Sequence, residues 1–335
     1  MADNLSVKSD GRAEMAYTGS VPWHGLGTRL DAHQTPAGML SAAGLDWTVQ
    51  PRSLHLANGT LVASHVALTR SDTSAVLGVA TRRYQTIQNA QAAEIVDALV
   101  TEGGAHAEVA GALGRGERCW MLTRIPGEFE VLRDDLIRPY FLLAWGHDGR
   151  HGVAGRLTPI RVVCANTLAA AGFGAGQWSL AAAIYLRHYG QIKLRIDEAR
   201  QALGIAQRQS GATANAYRAM AATSLNDPTS YFHTVFPPPE RDPGTERYDD
   251  AKLARWEARQ AEILTRYQCG AGMELAGVSG SVWGAYNAVT DWVDHQYPVL
   301  RTGFVSSSRQ QATVFGAMAE NKTRAFQAAL DLVAG

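Results

Sequence analysis

The sequence predicts an α+β protein: antiparallel β-meanders with crossing helices, followed by a mainly helical C-terminal part. Three observations carry this expectation. Up to about residue 165 the chain is a series of short apolar and β-branched runs separated by turn residues, the signature of meandering strands. From about residue 206 onward apolar residues recur at helical spacing instead. A chain of 335 residues, 46% hydrophobic and 19% charged, can also bury a substantial core in two domains or one elaborated domain.

The elements follow in order. Residues 1–20 read as a polar leader without an apolar signal segment. Thr35 before Pro36 predicts a helix start and Gly44 its stop. Trp47–Gln50 and Arg52–Leu56 read as extended, and Asn58 with Gly59 as a two-residue hairpin turn into Leu61–Leu68. A turn at Ser71–Ser74 leads to a third strand over Ala75–Ala80, and Tyr84–Asn89 to a helix with Ile95, Val96 and Leu99 on one face. A second meander comprises His106–Leu113 and Arg118–Ile125 around a glycine-rich tip at 114–116, then Pro139–Gly146 and Val153–Cys164 around His147–His151. Asn166 is a candidate cap for a following helix, and Ile192, Ile196, Ala199 and Leu203 then recur at helical spacing. The helical region over 206–335 contains a proline-rich charged segment, Phe236–Asp250, expected to be a loop or linker. Leu253, Trp256, Ile263, Leu264 and Tyr267 mark one amphipathic face, and Val282, Tyr286, Val289 and Val293 another. Phe315, Met318, Phe326, Leu330 and Val333 mark a third, and Trp283 and Trp292 read as core. The core domain is thus expected over 21–205.

Basic and acidic residues number 31 each, which by itself argues against a uniformly basic nucleic-acid binder. The balance conceals a separation: the net charge is −4 over 1–137, +7 over 138–224, −5 over 225–300 and +2 over the remainder. Only four basic residues are lysines. That arginine excess is a matter of coding composition or a means of holding phosphates bidentately. No apolar run is long enough to span a membrane, and the three cysteines are far apart, so reduced, mostly buried thiols in a cytoplasmic protein are expected.

Among sites that could carry chemistry, no phosphate-binding G-x-x-x-x-G-K-[ST] loop is present, and no nucleophile signature supports an enzyme. His147, Asp148 and His151 are weak metal candidates, because glycines interrupt the stretch that would have to be helical. No cofactor is implied. Arg150, Arg156, Arg161, Arg187 and Lys193 recur with almost no counter-charge and are candidate phosphate contacts. Arg82, Arg83 and Tyr84 set cations beside an aromatic ring, as do Arg187, His188 and Tyr189, an arrangement that can clamp phosphate and stack a base. The plainer reading makes Tyr84 and Tyr189 core residues and the arginines solvated surface. Trp23 and His24, in a glycine-flanked turn, read first as an anchored N-terminal arm.

These residues also carry a resemblance. The runs PWHGLGT at 22–28, AGLDW at 43–47, RSDT at 70–73, Tyr84 with Gln88 and Asn89, HDG at 147–149 and TPIRVVCANTL at 158–168 resemble the phage/plasmid-like protein family of unassigned function. The match extends over roughly 20–205, with departures at Ala144–Gly146 and at Arg150 and His151. It implies mobile-element DNA biology without a fixed activity. The order helix, three-strand meander, helix is similar to the core of single-strand-annealing recombinases, which form rings or filaments on single-stranded DNA without ATP. The expectation is therefore an ATP-independent single-stranded nucleic-acid-binding protein that acts in single-strand DNA annealing, forms homo-oligomers and has no membrane partner. The alternatives are an accessory protein-interaction module and a metal-assisted enzyme.

Overall fold

The computed structural model describes residues 5–8, 10–19, 26–163, 166–167, 183–186, 210–297, 301–302, 305–306 and 317–335. The architecture is mixed α+β, with sheets first and helices after. The chain divides into two compact units: Met1–Pro126 with Pro139–Leu157 and Trp178–Arg208, and Gly127–Arg138 with Thr158–Gln177 and Gln209–Gly335.

In the first unit the expected polar leader is part of a sheet. Strand β1 (Met15–Thr18) is wholly buried and pairs antiparallel with β6 (His106–Leu113) and parallel with β2 (Thr28–Leu30). Helix α1 (Pro36–Ala43) starts as the sequence indicates: the Thr35 hydroxyl accepts the Gly38 N–H at 3.1 Å, and the helix closes on Gly44. Strands β3 (Val49–His55), β4 (Leu61–Arg70) and β5 (Val76–Thr81) form a separate antiparallel sheet in that order. The β3–β4 connection is one residue longer than a two-residue turn. Leu56 N–H donates to the Thr60 carbonyl, Gly59 N–H donates to the Leu56 carbonyl, and Gly59 takes φ +85°, the bulge position that glycine occupies without a Cβ penalty. Pro51 is tolerated because β3 is an edge strand.

Helix α2 (Asn89–Gly103) begins where Gln91 reaches back to the Gln88 N–H, and buries Ile95, Val96 and Leu99 as expected. It packs on α1 and β6. Strand β7 (Arg118–Arg124) joins β6 to β9 (Leu136–Gly146), with β10 (Val153–Arg161) beyond and β12 (Ala183–Leu186) paired to β10. Residues 139–146 of β9 are buried without alternation, because a central strand is covered on both faces.

In the second unit, β8 (Phe129–Glu130) pairs with the start of β9, and β11 (Asn166–Thr167) with the end of β10. Asn166 therefore lies opposite Arg161 in a strand rather than capping a helix. The helical part comprises α3 over 210–222, α4 (Pro228–Val235), α5 (Asp250–Cys269), α6 (Val282–His295) and α7 (Ala317–Ala334), with the short pair β13 (Arg301–Thr302) and β14 (Val305–Ser306). Residues 282–293 of α6 are all buried, since α4, α5 and α7 pack around it. Trp283, Tyr286 and Trp292 are core, as expected, and make tilted or edge-on ring contacts with Tyr217, Phe236 and Phe326. Helix α5 buries only Ile263 completely, with Leu253, Trp256, Leu264 and Tyr267 half-buried. The connection over 237–249 is exposed for most of its length and folded on Asp242, whose carboxylate accepts the Gly244 and Thr245 N–H groups and is held below the usual range by them. No described helix is long and apolar enough to cross a membrane.

Candidate nucleic-acid interface

Trp47, Arg70, Gln88, Asn89 and His147, from the sequence runs quoted above, converge on one buried polar cluster in the first unit. Arg70, at the end of β4, donates to both carboxylate oxygens of Glu14 at 2.8 and 2.7 Å, to Asp72 at 2.9 and 2.7 Å, and to the Arg115 carbonyl at 2.7 Å. Its guanidinium lies 4.2 Å from the Trp47 ring centre. Asp72 is held below the usual carboxylate range chiefly by the bond from Arg70. Gln88 bridges both backbone groups of Val49. The Asn89 amide donates to the Leu45 and Trp47 carbonyls, and its oxygen accepts from Trp145 Nε1 at 2.8 Å. Those bonds fix which end of the amide is oxygen, so His147 Nε2, 2.9 Å from that oxygen, carries the proton and donates.

This cluster positions the 147–151 turn. Asp148 Oδ1 accepts the Arg150 and His151 N–H groups, and Oδ2 lies 2.6 Å from His151 Nδ1. Arg118 contacts the same imidazole, and burial lowers the Arg118 pKa. Burial pushes the Asp148 carboxyl up, but the hydrogen bonds from His151 and the two backbone groups outweigh it and hold the pKa at about 2. Gly149, at φ +77°, closes the turn. The turn lies directly on β5: a Cβ at Gly78 would overlap the Asp148 backbone, and one at Gly149 would meet the Val79 carbonyl. His147 is thus an internal donor, and His147, Asp148 and His151 do not form a group able to hold a metal ion. None exists among the described residues.

The depressed Asp148 pKa has a defined sign. Its stabilisation is complete above about pH 4 and is lost as the pH falls from there through about 2. Asp148→Asn is expected to cost about 2 kcal/mol at neutral pH and to flatten the acid limb. Urea midpoints measured from pH 7 downward check this, and identical acid profiles for the two proteins would refute it.

Arg150, the residue after the Gly149 that meets β5, is exposed, and Arg82 and Arg83 are exposed just beyond the end of β5. Arg82 is laid along β4, its Nε donating to the Ala63 carbonyl at 3.0 Å. Tyr84 is half-buried. Arg161 is placed differently from the expectation: it is fully buried in the second unit, bonded to Asp135 at 2.6 and 2.8 Å and to the Gly272 carbonyl at 3.1 Å. A guanidinium with no exposed surface does not reach phosphate, so Arg161 is a structural ion pair. Arg156 lies in β10 opposite Ala183, with its side chain outside the described residues. Arg187, His188, Tyr189, Lys193, Trp23, His24, Cys164 and the helical positions at 192–203 also lie outside them. Of the other cysteines, Cys119 is buried, which pushes its thiol up, whereas Cys269 is exposed.

The net charge of −4 over 1–137 conceals a cationic stretch. From residue 47 to 93 the sequence holds arginines at 52, 70, 82 and 83 but a single acid, Asp72, which Arg70 engages. These residues build the three-stranded sheet and its flanks, so the sheet is locally cationic within an acidic segment.

The model of DUF932, a domain of unknown function, matches residues 76–327, well over half of the chain. The chain belongs to this family. The DUF932 match starts at β5 and runs through α6 into α7, taking in Asn89, His147, Arg161 and Asp135 but not Trp47 or Arg70. No curated protein and no solved structure matches the chain.

Proposed function

We propose that the β3–β4–β5 sheet and the arginines around β5 bind single-stranded nucleic acid without ATP, in strand annealing for a mobile genetic element. The observation that carries this reading is the acid-poor sheet bordered by exposed Arg82, Arg83 and Arg150. Phosphate neutralisation by such groups releases counterions and drives binding without a nucleotide-dependent step. Half-buried Tyr84 next to Arg83 offers a ring for base stacking. Arg156, Arg187, His188, Tyr189 and Lys193 extend the proposed surface on sequence grounds, and buried Arg161 is not part of it. The annealing role rests on the order α1, three-strand meander, α2 and on the lack of a phosphate-binding loop in the sequence.

Mobility shift of a labelled single strand over a salt series is the test. Changing Arg82, Arg83 and Arg150 together to alanine is expected to reduce the log–log salt slope by about 2, at roughly 0.7 per phosphate contact. No retardation by wild type at about 50 mM salt and micromolar protein refutes the proposal. Exposed leucines on the β3–β4 hairpin favour a competing reading, protein docking without nucleic acid. Partners that survive nuclease treatment during co-purification from host lysate would favour it.

A further inference from the structure

We infer that the β3–β4 hairpin is an arm that seats on a second copy of this chain. All fifteen residues from Pro51 to His65 are exposed or half-exposed; at the base Pro51–Ser53 pair with Val66–Leu68 and His65 with Thr81, and beyond them the ribbon is two-stranded, with His55 opposite Leu61, and stands off the core. A two-stranded ribbon without a covered face is marginal in water. Its end is nevertheless apolar: Leu56 and Leu61 are 57% and 48% exposed, with half-buried Leu54 and Val62 alongside. Leucines gain nothing against phosphate, which assigns the end of the arm to a protein surface even where the arginines at its base face nucleic acid.

Charge identifies the surface. The arm contains Arg52, His55 and His65 and no acid. The Phe236–Asp250 segment of the same chain is its complement: Glu240, Asp242, Glu246, Asp249 and Asp250 against Arg241 and Arg247, with Pro237 and Pro238 exposed. Prolines give apolar surface to the leucines, and the carboxylates face Arg52. A contact between different patches on successive copies is heterologous, so it closes into a ring or extends as a filament.

The inference stands apart from nucleic-acid binding, and it is tested on nuclease-treated full-length protein. Wild type is expected to show concentration-dependent association by sedimentation velocity at roughly 10–100 μM, and Leu56→Asp with Leu61→Asp to sediment as a monomer with an unchanged thermal midpoint. Glu240→Lys with Glu246→Lys is expected to weaken association and steepen its loss with salt. A second measurement does not depend on those variants folding. In a Cys269→Ser background, separately purified Leu56→Cys and Glu240→Cys chains are mixed under mild oxidation. A disulfide-linked heterodimer exceeding either homodimer supports the arm-to-loop contact. A monomeric wild type across the range, undiminished association of the leucine variant, or no preferential heterodimer overturns it.

Discussion

Asp135→Ala is expected to destabilise the second unit by about 3–5 kcal/mol, the usual cost of leaving a buried charge uncompensated. Arg161 and Asp135 both have no exposed side-chain surface, and the same carboxylate accepts the Trp283 indole N–H at 2.7 Å. Removing it strands a guanidinium and an indole donor together, in the core that α6 organises. Arg161→Met with Asp135→Leu is expected to recover most of the loss, because two apolar groups carry no desolvation penalty. The residue of about 1–3 kcal/mol is the unsatisfied Trp283 N–H. Urea unfolding of Asp135→Ala, of the single variants Asp135→Leu and Arg161→Met, and of the double variant measures this. A double variant as unstable as the sum of the singles would show that the pair is not the coupled unit the geometry indicates.

The second large effect is expected at Arg70. Arg70→Met leaves Glu14, with 2% of its side chain exposed, without its bidentate partner. It also frees the Arg115 carbonyl and removes the cation from the Trp47 face. The expected loss is again about 3–5 kcal/mol, with the β1 and β4 ends released together, since Glu14 precedes one and Arg70 closes the other. Hydrogen exchange checks the location: amides of β1 and of the 47–50 segment should lose protection, whereas those of α6 should not. Uniform loss across both units would count against a local clasp.

Much of the fold was legible because its signals are local. Thr35 with Pro36, the alternation around Asn58 and Gly59, and the apolar spacing of α2 and α6 each declare an element within a few residues. The cluster of Trp47, Arg70, Asn89 and His147 was not legible as a cluster. Its members are up to a hundred positions apart, and a motif read along a line gives no hint that four of its pieces share one interior. The same separation hid Arg161. Its counter-charge Asp135 lies 26 residues earlier, so in sequence it stood among unopposed cations, while in space it is neutralised. The cationic sheet was missed for the opposite reason: a window of 137 residues was too wide for a surface built from about forty.

Pro51 and the register shift between Ser53 and His55 have a consequence for how this protein fails. A protruding ribbon normally invites another strand to lengthen its hydrogen-bond ladder, and repeated addition leads to cross-β fibres. Here the outer edge lacks one amide donor at Pro51 and is locally kinked a residue or two later. Strand-upon-strand growth is therefore blocked on that edge, and the exposed hairpin does not by itself template cross-β fibres there.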